Sequence, residues 1–239
     1  MNWNVFEETM VKKHICKINN NSTKSIVLFG SCHMSTIGFM LNRLLDYKYN
    51  IYIILSWLFE KKGIENFNMI QINNKIKKYV SKCDIFIYHL HVNNYGVNAS
   101  NITSLLKENC LKLCIPNYRL DYTKNTNEFK KSLQILDYLI QNSNFPEFNF
   151  VIENHKDIMF FNTEEHPTHY LLFLQSEAIT NRILNNGQTI CIGNYYDPKN
   201  RAYFEDFYLV ILPGKKEITN EINKNTNIKI DAEYYDILK

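Results

Sequence analysis

The sequence predicts an α/β protein: a parallel sheet with helices on both faces, a three-layer sandwich in one domain over 1–239. Three observations carry that expectation. Four short apolar runs, "KSIVLFG" (24–30), "IYIILSW" (51–57), "CDIFIYHL" (83–90) and "CLKLCIP" (110–116), lack the strict alternation of a half-exposed strand, as expected of strands covered on both faces. Helical patterns separate them, at 34–46, about 60–80 and 100–109, a strand-helix-strand order suited to right-handed crossovers. Finally, 45% hydrophobic residues with 16 tyrosines and 15 phenylalanines in 239 residues supply a core that needs neither disulfide nor metal to hold it.

Each element has a local reason. Pro116 ends the fourth strand, because proline removes a ladder donor and restricts the residue before it. "NEFKKSLQILDYLI" (127–140) has the spacing of an amphipathic helix, whereas "FNFVIENHKDIMF" fits no single pattern. In "HPTHYLLFLQSEAITNRILNNG", Pro167 suits a first helical turn and Gly187 a C-cap. "QTICIGN" and "FYLVILPG" in the last 50 residues read as possible added strands of unreadable topology. Clusters of asparagine and lysine between the apolar runs read as polar loops.

Composition excludes several classes of function. The net charge of +3, from 27 basic and 24 acidic side chains, is not gathered into a stripe, so nucleic acid is not an expected partner. "KIKK" at 75–78 reads as a solvated helix face. The amino-terminal "MNWNVFEETMVKKHICK" has two glutamates and no unbroken apolar core, unlike a signal peptide. No stretch reaches the roughly 20 apolar residues of a membrane helix. Six cysteines without paired CxxC spacing point to reduced thiols and a cytoplasmic protein.

The chemistry-bearing stretch is "VLFGSCHMS", 27–35. A residue after a buried strand and before a helix sits where open α/β folds bind their ligands. Gly30 lets the chain turn, Cys32 projects from the bend, and the first amides of the helix can lower a thiol pKa or face an acyl oxyanion. The alternative is that Cys32 is one more small residue in a buried turn. A thiolate nucleophile also needs a base and an orienting group. His166 in "FFNTEEHPTH" is the candidate base, with Glu164 and Glu165 as candidate orienters, either of which can equally serve a helix terminus. His155 and His169 carry no better local argument than a surface or partly buried side chain. His33 adjoins Cys32, but neighbouring side chains diverge, so it reads as a ligand contact or hydrogen-bonding residue. In "YHLHVNNYG" (88–96), His89 and His91 share a side if the strand persists, and with Asn93 and Tyr95 they are candidate substrate contacts. Two histidines with scattered cysteines do not specify zinc.

Taken in order, "FGSCHMSTIGFMLN", "CDIFIYHLHVNNYG", "IPNYRLDY" and "TEEHPTHYLLFLQSEAI" resemble the WcbI-type polysaccharide-biosynthesis proteins over about 24–186. Where that family has glycine, asparagine, cysteine, glutamine, this chain has Gly30, Ser31, Cys32 and His33. The histidine-proline pair corresponds to His166 and Pro167. The resemblance implies a sandwich with an SGNH-type site arrangement. It further implies a coenzyme A-dependent acetyltransferase taking acetyl-coenzyme A as donor and a sugar hydroxyl of a capsule or surface-glycan precursor as acceptor. It places Cys32 and His166 in catalysis, puts Gly30, Ser31 and His33 against the cofactor, and sets the protein at the periphery of a glycan-assembly system. No glycine-rich phosphate loop is present to indicate coenzyme A independently. Direct transfer, with His166 activating the sugar and Cys32 only shaping the pocket, remains open. So do an acyl esterase or thioesterase, and a noncatalytic glycan-binding protein using tyrosines such as Tyr88, Tyr95, Tyr118 and Tyr122.

Overall fold

The computed structural model describes residues 15–56, 77–90, 102–120, 125–157, 160–163 and 166–185. Contacts divide the chain into two compact units, 1–117 and 118–239. The first holds a five-stranded sheet built from β1 (Cys16–Ile18), β2 (Ser25–Gly30), β3 (Asn50–Leu55), β4 (Ile85–Leu90) and β5 (Leu111–Pro116), with α1 (His33–Leu44) between β2 and β3. The strand order is β1-β3-β2-β4-β5. β2 runs parallel to both β3 and β4, and β4 parallel to β5. β1 pairs antiparallel with β3, so the sheet is mixed where the sequence predicts a parallel one, because the short β1 adds to the edge of β3 in the opposite direction.

Both faces of the strands are covered, which accounts for apolar runs without alternation. α1 buries Met34, Ile37, Met40 and Leu41 together with His33, Ser35 and Gly38. A methyl group on Gly38 would lie 2.7 Å from Ile53 Cδ1 and 2.9 Å from Leu28 Cδ1, so this helix crosses the sheet at closest approach there. On the other face, Val27, Phe29, Ile54 and Phe86 cluster with Val80, Cys83, Ile102 and Cys110. Each fully buried side chain of this size contributes about 1.5–3 kcal/mol. Residues 77–80 are helical, and the rest of the helix expected at about 60–80 lies outside the described residues. Of the helix expected over 100–109, residues 100 and 101 lie outside the described residues, 102 and 103 are helical, and 104–109 form turns.

The amino ends of the strands are tied by polar contacts. Ser25 N–H donates to Asp84 Oδ2 at 2.8 Å, Lys107 Nζ lies 2.6 Å from Asp84 Oδ1, and Leu111 N–H donates to the Asp84 carbonyl at 2.9 Å. The asparagine-rich loop before β2 is a latch: Asn20 Nδ2 donates to Asn42 Oδ1 and the Tyr49 carbonyl, and Asn20 N–H to Asn50 Oδ1. Abundant asparagine here answers loop backbone that would otherwise be unsatisfied.

The second unit contains α2 (Thr126–Gln141), a 3-10 turn (Pro146–Asn149), α3 (Phe150–Asn154), a two-stranded sheet of β6 (Phe161–Thr163) and β7 (His166–Pro167), and α4 (His169–Leu184). Asn125 caps α2 by accepting from Asn127 N–H and Glu128 N–H. Thr168 caps α4, so Pro167 lies in a strand rather than in the first helical turn. α4 ends at Asn185, whose φ of 52° takes the left-handed conformation that Gly187 was expected to supply. Tyr170 to Ser176 are buried without interruption, and Arg182 bonds Glu147 while stacking on Phe145. Among the described residues, no helix is long and apolar enough to cross a membrane.

Candidate active site

From β2 the chain crosses to β3 on one side and later returns to β4 on the other. Adjacent strands whose connections diverge leave a crevice at their carboxyl ends, where open α/β sheets bind ligands. Gly30 ends β2 and Leu90 ends β4. The stretch singled out in the sequence therefore occupies the switch point of this sheet.

Ser31 and Cys32 form the turn from β2 into α1. Cys32 occupies the N-cap position and is exposed, whereas Cys16, Cys83, Cys110 and Cys114 are buried. These four thiols are held protonated by their surroundings: burial pushes Cys16 and Cys114 up to about 11 and raises Cys83 and Cys110 as well. Amides of the helix start are partly committed, since Met34 N–H donates to the Ser31 carbonyl at 3.1 Å and Ser35 N–H to that of Cys32 at 3.0 Å.

The turn is held from two sides. Ser56, just past β3, donates its N–H at 2.8 Å and its hydroxyl at 3.2 Å to the Gly30 carbonyl. From β4, His89 Nδ1 accepts the Ser31 N–H at 3.0 Å. A methyl on Gly30 would lie 2.5 Å from that Nδ1, so glycine is needed for close approach by a ring. His33 adds its own ring from α1, edge-on to His89 with centroids 5.6 Å apart. Both are buried, at 5% and 2% exposure. Ser31 N–H is therefore spent on His89.

Of the expected site residues, Gly30, Ser31, Cys32, His33 and His89 come together in unit 1–117. His166 lies in unit 118–239, its backbone in β7 opposite Thr163. Glu164, Glu165, His91, Asn93 and Tyr95 lie outside the described residues. In unit 118–239, His155 is buried with Nδ1 2.6 Å from the Ile152 carbonyl, and only the backbone of His169, which opens α4, is described. Tyr118 is wholly buried against Phe148 and Phe161, its hydroxyl pKa pushed well up by burial, and thus serves the core rather than a sugar. Tyr88 stacks on Phe86, and burial, with Cys114 beside it, raises its pKa to about 12. Sequence reasoning missed Ser56, which shows no signal beyond a polar residue closing an apolar strand. Among the described residues no group of three histidine, cysteine or acidic side chains could hold a metal.

No family model and no curated protein matches the chain. A solved structure of WcbI aligns over 90% of this chain and 90% of its own, with a TM-score of 0.50 and 13% identity. The fold is similar to that of WcbI. That protein is described as a polysaccharide biosynthesis enzyme, solved in a native form without the disulfide between coenzyme A and one of its cysteines. The likeness is one of architecture, a mixed α/β chain with a five-stranded sheet.

Proposed function

We propose that this protein is a coenzyme A-dependent acyltransferase that acetylates a sugar hydroxyl during capsule or surface-glycan biosynthesis. The observation that carries the reading is Cys32: an exposed thiol at a helix start, at the switch point of the sheet, in a fold similar to that of a polysaccharide biosynthesis enzyme whose description mentions coenzyme A. The exposed sulfur fits the approach of a thioester, which the buried cysteines would not.

In this reading His166, oriented by Glu164 or Glu165, takes the Cys32 proton. Cys32 Sγ attacks the acyl carbonyl carbon, and the carbon–sulfur bond to coenzyme A breaks as its thiolate leaves and takes up the proton. His166 then removes the proton of the acceptor hydroxyl, whose oxygen displaces Cys32 from the acyl carbon, and Cys32 recovers a proton. Gly30, Ser31 and His33 line the donor side of the turn, and His91, Asn93 and Tyr95 the acceptor side, while the buried His89 is committed to Ser31 N–H.

The test is incubation with acetyl-coenzyme A and a panel of surface-glycan acceptors, measuring acetylated sugar and free coenzyme A together. A transferase forms product in proportion to acceptor, while release of coenzyme A into water alone identifies a thioesterase. Cys32→Ser should lower turnover by about 100-fold or more, and His166→Ala by roughly 100- to 10,000-fold. Unchanged turnover in both variants would reject this site.

A further inference from the structure

We propose that His89 is a positioning residue which, through a hydrogen bond to Ser31 N–H, fixes the turn that presents Cys32. The proposal rests on Cys32 being the reacting group and adds a role that neither the sequence pattern nor the fold likeness supplies. The Ser31 N–H donates to Nδ1, so Nδ1 carries a lone pair and the neutral ring keeps its proton on Nε2. Such a ring has no basic nitrogen left for the Cys32 thiol. It can hold the turn but not deprotonate the sulfur, and the proton acceptor in catalysis must come from elsewhere.

Three contacts converge on this role. Gly30 has no side chain where a methyl would strike His89 Nδ1 and Cγ, at 2.5 and 2.8 Å. Ser56 anchors the Gly30 carbonyl on the opposite side of the same peptide. His33 packs edge-on against the His89 ring. Protonating His89 would set an Nδ1–H against the Ser31 N–H, two donors facing one another, and the turn would lose its support. Among the described residues, the titratable group packed on the ring is His33 of α1. Its partner on β5 is the apolar Ile115.

Alkylation of Cys32 by iodoacetamide, followed by peptide mass spectrometry from pH 5 to 9, reads the turn without any acyl donor. His89→Ala should slow Cys32 alkylation at least threefold. His89→Asn, whose Oδ1 can accept the same N–H but cannot be protonated, should stay within twofold of the parent and lose the acid-side step in the profile. Gly30→Ala should slow the reaction in the parent and add nothing to His89→Ala, because both act through one contact. A folded His89→Ala that keeps the parental rate and profile overturns the proposal, as does an Asn variant that retains the step, or a Gly30→Ala penalty that persists in full without the ring. If His89→Ala does not fold, His89→Asn alone decides. Absence of acyl transfer with this alkylation pattern intact rejects the transferase and leaves the positioning role standing.

Discussion

The two ends of the sheet in unit 1–117 use the same residue types for opposite purposes. At the amino ends of β4 and β5, Cys83 and Cys110 lie with sulfurs 3.7 Å apart inside the core, and Asp84 is saturated by Ser25 N–H and Lys107. At the carboxyl ends of β2 and β4, Cys32 is exposed and the buried polar groups include two histidines and Ser56 gathered around a backbone turn. Strand polarity decides which end is which: the amino ends receive chain from loops and are closed by pairing, while the carboxyl ends open on diverging crossovers. A cysteine is buried in the core at one end and exposed to solvent at the other.

The largest effect expected from this contrast is in thiol reactivity. A thiol with a pKa of about 11, as at Cys16 and Cys114, is only about one part in a thousand thiolate at pH 8. In the native protein Cys32 should therefore alkylate about 100-fold faster than Cys16, Cys83, Cys110 or Cys114, measured peptide by peptide. Equal labelling of Cys83 and Cys32 in folded protein would erase the distinction between the two ends. A step smaller is Gly38→Ala, whose methyl would meet Ile53 and Leu28. It should destabilise the protein by about 1–3 kcal/mol in a urea titration with the native Cys32 rate retained, separating packing of α1 from presentation of the thiol. Asp84→Asn should cost about 1–2 kcal/mol by the same titration, again with Cys32 unaffected.

The smallest effect concerns pH. Burial alone would raise the Asp84 carboxyl, but the hydrogen bonds from Lys107 and Ser25 N–H outweigh it and hold the carboxyl below its ordinary value. A depressed folded pKa stabilises the native state above the unfolded value, near pH 4, and that contribution disappears as pH falls through the folded value. Because the pair is part-exposed, with side chains 33% and 35% accessible, water keeps the contribution small. Melting temperatures between pH 6 and pH 3 should fall less in Asp84→Asn than in the parent, and identical slopes would remove Asp84 from the acid response.

Much of the sheet was legible because burial on both faces writes itself as unbroken apolar runs: β2, β3, β4 and β5 fall within one or two residues of "KSIVLFG", "IYIILSW", "CDIFIYHL" and "CLKLCIP". Cys32 at the strand end was legible for the same reason. β1 was not, since three residues cannot display a period and Cys16–Ile18 is a strand only by pairing with β3. Asn185 stopped α4 before Gly187 could, because a left-handed asparagine costs little and local sequence offered both. His89 could be placed near the site from its strand, but its bond to Ser31 N–H spans 58 positions and depends on the register that sets β4 beside β2. The turn over 104–109 carries a helical pattern that tertiary packing overrode.

β1 has a further consequence, for solubility. It is a short strand whose central Lys17 is exposed while Cys16 and Ile18 face inward, and the Lys17 ammonium lies over the Tyr52 ring of β3. Behind it β3 reads Asn-Ile-Tyr-Ile-Ile-Leu, a nearly uncharged segment of high β-propensity. Short, charged edges deny neighbouring molecules a template for strand addition, whereas a bare apolar edge invites it. By covering Ile51–Ile53 of β3 with three residues, the central one a lysine, the chain keeps that apolar strand from offering a bare edge to intermolecular sheets.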